Sequence, residues 1–216
     1  MISTRFALPI FQRSGAIKYI VVVGVCLTIA ALSVSGGQGT PNEKSPKEVV
    51  EEFWKLETEG GRLTPEGWLN ADIFFVRPEP LPRKKIIEVI SAKYKYSVDV
   101  RWIKGNQAEI ASGYVDLGRI DDTLRYTPPD GRFHDNKTAV VYHLARTDKR
   151  WEFAPDGISQ KEVRGPLAWR IEADQPVLWL TVDTAIRYVK EKSEKTSDPS
   201  RKQNANQTLA RLKNLQ

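Results

Sequence analysis

Alternation of apolar and polar positions is clearest between residues 93 and 104. Tyr94, Tyr96, Val98, Val100 and Trp102 share one parity, and Lys93, Lys95, Ser97, Asp99 and Arg101 share the other. A period of two marks a strand with one face on a core and one in water. Lys104-Gly105-Asn106 supplies turn residues, and residues 107–119 return as the second arm of a hairpin. On that arm Ala108 and Ile110 hold one parity while Val115 and Leu117 hold the other. A bulge at Ser112-Gly113 is therefore expected, bending the strand and turning Val115 and Leu117 inward.

Helical spacing comes before this hairpin and after the last strand. Ser45-Pro46-Lys47-Glu48 reads as a capping box with proline in the first turn. Val49, Val50, Phe53 and Trp54 then form an apolar stripe that continues to Glu57 and stops at Gly60-Gly61. Thr64-Pro65-Glu66 opens a second, shorter helix carrying Trp68, Leu69 and Ile73. Pro78, Pro80 and Pro82 make the next stretch a stiff extended connector. Residues 86–91 read as a strand or a turn of helix; short apolar runs do not separate the two.

After the hairpin, a long loop runs from Asp121-Asp122 to about Asn136. A strand is predicted over 138–145, with Val140, Tyr142 and Leu144 on one face. Asp148-Lys149-Arg150 is expected to turn it into Trp151-Glu152-Phe153, and residues 167–172 alternate again. Residues 177–180 bridge into the tail. Thr181 caps a helix bearing Val182, Ala185, Ile186 and Val189, and Ser197-Asp198-Pro199 ends it and starts another with Ala205, Leu209, Leu212 and Leu215. Such an αα-hairpin is too polar to stand alone and should dock on the sheet or on another protein.

The order of elements gives an α+β class: N-terminal helices packed on a strongly curved antiparallel sheet, with a C-terminal helical hairpin. It resembles the cone fold shared by ketosteroid isomerases and nuclear-transport-factor-like proteins. The resemblance covers about residues 45–172 and rests on Phe53-Trp54, the bulged strand from Gln107 and the last strand ending Trp169-Arg170-Ile171. The third N-terminal helix usual in that fold is not evident. Residues 169–172 and 179–189, with the turn at 195–199, are also similar to the end of a group of exported bacterial proteins, a match that implies no activity.

Residues 1–37 are of another kind. Arg5, Arg13 and Lys18 occur with no acidic residue, residues 19–34 are uncharged and mostly apolar, and Ser33, Ser35, Gly36 and Gly37 follow. This is the layout of an export signal. The apolar run is shorter than the roughly 20 residues that span a bilayer comfortably, so a cleaved signal and an uncleaved anchor through residues 19–34 both stay open. Either way the positive end stays in the cytoplasm. The rest is expected on the periplasmic or extracellular face, anchored in the inner membrane if uncleaved. Residues 38–44 read as a linker, 45–180 as the α+β domain and 181–216 as the helical hairpin.

Charge agrees with this partition. The chain has 33 basic and 27 acidic residues. Setting aside the three basic residues near the N-terminus, and the eight basic and four acidic ones after position 180, leaves 22 basic against 23 acidic. The body is near neutral, so nucleic acid is not expected as a partner. The tail cations are read first as a solvated helix face, with anionic lipid head groups or an acidic partner as the alternative. Cys26, the single cysteine, lies in the apolar run and rules out an internal disulfide.

In the isomerase branch of the cone fold, an acid works beside a tyrosine and a protonated acid. The resemblance therefore points to Tyr114, Asp116 and His143 as weak catalytic candidates. Parity places Asp99 in water and His143 on the outer face or beneath the tail hairpin. Phe53, Trp54, Tyr96, Trp102, Tyr142 and Trp169 are the candidates for an interior ligand pocket. No metal is expected, since His134 and His143 are the only histidines and lack zinc-ligand spacing. No cofactor is expected either, as no phosphate loop occurs, and Ala-Ser112-Gly lacks the nucleophile-elbow pattern. Three functional readings follow. The first is a non-catalytic domain binding a small apolar ligand or an envelope protein. The second is a small cone-fold enzyme with isomerase-like or hydrolase-like acid/base chemistry. The third is a structural envelope component using the tail hairpin for association. The oligomeric state stays open.

Overall fold

The computed structural model describes residues 43–78, 86–92, 96–129, 137–154, 159–173 and 177–216. The N-terminal segment with Cys26, as well as Tyr94 and His134, lies outside the described residues. The elements in chain order are α1 (Pro46–Thr58), α2 (Pro65–Asn70), a 3-10 turn (Ala71–Phe74), β1 (Phe75–Arg77) and β2 (Ile86–Ile90), followed by β3 (Ser97–Lys104), β4 (Gln107–Ile120), β5 (Tyr126–Thr127) and β6 (Lys137–Phe153). β7 (Gln160–Ala173), β8 (Val177–Thr181), α3 (Val182–Lys195) and α4 (Pro199–Lys213) complete the chain. The result is a mixed α+β architecture: helices around one eight-stranded, mostly antiparallel sheet.

Local signals are realised where they were read. The Glu48 amide donates to Ser45 Oγ at 3.3 Å and the Ser45 amide to Glu48 Oε2 at 2.6 Å, closing the capping box of α1. Val49, Val50, Phe53 and Trp54 form the buried stripe. Thr181 and Asp198 cap α3 and α4. Gly105 takes φ +56° at the first central position of the β3–β4 turn, as a type II′ hairpin requires.

β4 is the pivot of the sheet. Its first half lies between β3 and β6, and its second half between β2 and β5. β2 is flanked by β4 and by β8, which runs parallel to it, so β2 and β8 are buried on both faces. On one face Glu88, Ile90 and Trp179 meet α1; on the other Ile87, Val89, Leu178 and Leu180 meet Trp68 and the α3–α4 hairpin. The tail hairpin thus docks on the sheet, where Val182, Ala185, Val189, Ala205 and Leu212 are buried and Ile186, Leu209 and Leu215 partly so.

Several expectations are corrected. The expected bulge at Ser112-Gly113 is absent: β4 pairs without interruption with β6 from Gln107 to Val115. The irregularity lies further on, where Val89 opposes Gly118 and Ile90 opposes Asp116, leaving Leu117 as the extra residue. Ala108, Ile110 and Tyr114 therefore share the face toward α1, Ile120 beyond the irregularity faces the opposite core, and Val115 and Leu117 are only partly buried. On β3, Val98 is buried, Val100 on the same face is exposed because the strand lies at a sheet edge, and Trp102 is half-buried because the ladder shifts at Arg101. Leu69 and Ile73 are exposed, since α2 ends at Asn70 and the chain tightens into the 3-10 turn. Residues 177–180 form a strand rather than a bridge, and residues 75–77, for which the sequence pattern predicts no element, form another, both in parallel pairs.

β6 does not turn at Asp148-Lys149-Arg150 but runs to Phe153 as one strand. Gly165-Pro166-Leu167 on β7 stand opposite Asp148 alone, and this wide irregularity bends the two-stranded ribbon. The bend is large. Ala173 is the ladder partner of Arg77, while Gln160, thirteen positions earlier, accepts from Arg77 Nε at 3.4 Å. Thirteen residues of straight strand would span about 43 Å. The ribbon end is fastened there by Gln160 Nε2 donating to the Pro78 carbonyl at 2.6 Å and by Arg77 over the Trp151 ring at 5.2 Å.

Candidate functional site

α1 sets its two aromatic residues against the inner face of the sheet. Trp54 lies 5.3 Å from Tyr96, 5.3 Å from Tyr114 and 5.2 Å from Trp179, centroid to centroid. Phe53 packs edge-on against Phe75 and Tyr142 at 5.3 and 6.0 Å. Trp169 joins the same cluster. Five of the six pocket candidates, Phe53, Trp54, Tyr96, Tyr142 and Trp169, are therefore brought together, but against one another. These are the spacings of direct ring packing, with the rings filling the space between helix and sheet. Trp102 is not among them; it belongs to neither core cluster, and Lys104 Nζ lies 6.0 Å from its ring.

Beneath this aromatic layer are two buried carboxylates. Glu88 occupies the centre of β2, where its Oε2 accepts from the Tyr114 hydroxyl at 2.9 Å and from Trp179 Nε1 at 3.0 Å. Arg119, an exposed side chain, reaches Oε1 at 3.4 Å. Glu57, at the end of the α1 stripe, is ion-paired with Arg62, both about 1% exposed, and its Oε2 accepts from the Trp179 amide at 3.4 Å. The Arg62 guanidinium lies 4.4 Å from the Trp68 ring centre and 5.1 Å from that of Phe53, and donates to the Val177 carbonyl at 3.3 Å. Trp179 thus joins both carboxylates, one through its backbone and one through its indole.

Two of the three catalytic candidates belong to this centre. Burial, reinforced by the Glu88 charge, pushes the Tyr114 hydroxyl well above its ordinary range and keeps it protonated. Asp116 is half-buried, and desolvation pushes its carboxyl up; the Gly118 amide, donating to Oδ1 at 2.7 Å, offsets part of this, Glu88 adds to it, and Arg119 opposes it. His143 is elsewhere. It is exposed on the outer face of β6, its Nδ1 3.8 Å from Glu109 Oε2. Ser112 is fully buried and donates to the Ser97 carbonyl at 3.2 Å.

The sequence reading passed over Glu88, although a signal was present: it is the lone charge in Ile-Ile-Glu-Val-Ile, in an otherwise apolar strand. Glu57 carried a similar signal as the acidic continuation of the α1 stripe.

Grooves on the described surface lie away from these groups. One of about 660 Å³ runs beside α1, lined by Lys44, Glu48, Glu51, Glu52, Lys55 and Tyr96. A second, of about 410 Å³, extends from Glu52 and Lys55 past Gly60 to Phe74. A third, of about 300 Å³, separates β5 from α4. Glu88, Tyr114 and Asp116 line none of the three. Among the described residues no cluster of His, Cys, Asp and Glu could hold a metal ion, and no helix is long and apolar enough to cross a membrane. No family model, no curated protein and no solved structure matches this chain.

Proposed function

We propose that this chain is an exported, non-catalytic binding domain whose ligand is a protein of the envelope rather than a small apolar molecule. The observation that carries this reading is the filled interior: Trp54 sits in ring contact with Tyr96, Tyr114 and Trp179, where a cone-fold ligand would otherwise lie. The bent sheet with α1 packed on its inner face supports the cone-fold resemblance. The run of residues 19–34 supports export, with or without retention as an anchor.

β3 is the surface best suited to a partner. It pairs only with β4 among the described strands and exposes Val100 and Ile103 beside the half-buried Trp102. An edge with free backbone groups and apolar side chains can accept an added strand. The test is a photo-crosslinking residue at position 103 of the full chain in its native envelope, with position 190 on α3 as control. A discrete adduct from 103 alone, lost when Val100→Lys is added, is expected. No adduct, or the same adducts from both positions, overturns the reading.

One observation favours an enzyme instead: a half-buried Asp116 with a raised pKa close to the Tyr114–Glu88 pair, the combination acid/base chemistry in this fold would use. Against it, the Tyr114 hydroxyl is already donated to Glu88. Soluble phenols, which imitate an enolate oxyanion, discriminate: saturable binding lost in Tyr114→Phe and Asp116→Asn supports catalysis, and no binding ends it. The structural-component reading has less support, because the apolar stripes of α3 and α4 are spent on β2, β8 and each other.

A further inference from the structure

The recess between β5 and α4 differs in character from the groove beside α1. Its walls are Arg125, Tyr126, Asn204, Gln207, Thr208 and Arg211, with Pro128 at one side, and among the described residues no carboxylate lines it. The two guanidinium groups come from separate elements, Arg125 from the turn before β5 and Arg211 from the last turn of α4. Neither is ion-paired with a described residue. Around them, α4 carries Arg201, Lys202, Arg211 and Lys213 with no acidic residue between Pro199 and Lys213. Lys44 and Lys47 beside α1, in contrast, are paired with Glu52 and Glu51.

The floor of the recess is fixed. Thr208 is 1% exposed; its hydroxyl donates to the Leu124 carbonyl at 2.7 Å and accepts from the Tyr126 amide at 3.0 Å. Asn204 Nδ2 donates to the Thr123 carbonyl at 3.2 Å. Asp121, four residues before Arg125, is turned to its own loop, with Oδ1 accepting from the Thr123 amide at 2.9 Å, the Thr123 hydroxyl at 2.6 Å and the Arg125 amide at 3.0 Å. Leu124 is the only described non-glycine residue with positive φ, +64°, and its side chain is fully buried. A leucine in that region is strained, and it persists only where burial and hydrogen bonding over-determine it. Here the strained turn holds Arg125 opposite α4. Two guanidinium forks without an ion-pair partner among the described residues, an amide side chain and a rigid floor match an oxyanion with several acceptor oxygens.

We infer that the recess between β5 and α4 is a binding site for a phosphate group, carried either by a small phosphorylated solute or by a lipid head group. Phosphate chemistry is favoured because two forks on facing elements can share three or four acceptor oxygens around one phosphorus. The inference is independent of the proposed partner surface on β3.

The test is calorimetric titration of the full-length chain at constant ionic strength, once with inorganic phosphate and once with a short-chain phosphatidylglycerol kept monomeric. Saturable binding of at least one probe is expected, with Kd on the order of 1 mM. Arg125→Gln and Arg211→Gln should each weaken it at least fivefold, and Arg211→Lys should weaken it too, since a point charge replaces a fork. Lys202→Gln removes the same charge from α4 outside the recess and should change nothing. Binding of inorganic phosphate assigns the site to a soluble phosphate; binding of the lipid alone assigns it to a head group. No binding of either probe, or equal losses in Lys202→Gln and Arg211→Gln, overturns the inference. The substituted side chains are exposed, so unchanged melting curves separate lost binding from lost folding.

Discussion

Tyr114 on β4 donates its hydroxyl to Glu88 on β2 at 2.9 Å, inside a core whose other members are almost all apolar. A buried carboxylate needs its donors: removing one leaves part of its desolvation uncompensated. Tyr114→Phe is therefore expected to destabilise the fold by about 1–3 kcal/mol. In the background of Glu88→Gln the same change should be milder. Denaturant unfolding of the four proteins in the cycle measures the difference, and equal effects in both backgrounds would contradict the coupling.

Asp116 gives a pH signature. Its folded pKa is raised, so the native state holds the proton more firmly than the unfolded chain does. Its stabilising contribution is complete below the unfolded value of about 3.9 and fades as pH climbs through the folded value. Asp116→Asn keeps the acceptor for the Gly118 amide but cannot ionise. Relative to wild type, it should gain stability as pH rises from 3 to 7 and show little gain at the acid end. Thermal melts across that range decide it; a constant offset would mean that the carboxyl does not titrate this way.

The Glu57–Arg62 pair makes a different case, because both partners are buried and in contact. Glu57→Gln or Arg62→Met alone should be costly, about 3–5 kcal/mol, since each leaves the other charge uncompensated. The double replacement should lie well below the sum of the two. Additive losses would show that the residues do not act as a pair.

Gly118 has φ +123°, and a Cβ there would lie 2.5 Å from the Thr127 carbonyl oxygen and 2.8 Å from the Tyr126 ring. Gly118→Ala should cost about 1–3 kcal/mol through backbone strain and displaced β5. The same substitution at Gly165, where a Cβ meets nothing within 4 Å, should be nearly silent. Paired unfolding curves test the contrast.

How much of this was legible depended on distance along the chain. Ser45 with Glu48, Thr181, Asp198 and Gly105 could be read because each acts within a few residues. The inward face of α1 was legible because four large residues repeat at helical spacing. β1 and β8 were not, because each is a short apolar run whose ladder partner lies roughly ninety positions away. The β3 pattern misled for another reason: the alternation ran on past Arg101, where the ladder slips and sets Trp102 opposite Glu109, while Val100 keeps the face of Val98 but lies exposed on an edge strand. Of the candidate site, Tyr114 and Asp116 were found through resemblance, while Glu88, which holds the centre together, needed the structure to bring β2, β4 and β8 side by side.

β8 also sets when the molecule can close. Its ladder with β2 and the indole of Trp179 against Trp54 both depend on residues 177–181. Until that stretch is available, β2 has an open edge and Glu88 lacks one of its donors. A chain made from its N-terminus must therefore wait, unfinished, for its last fifth.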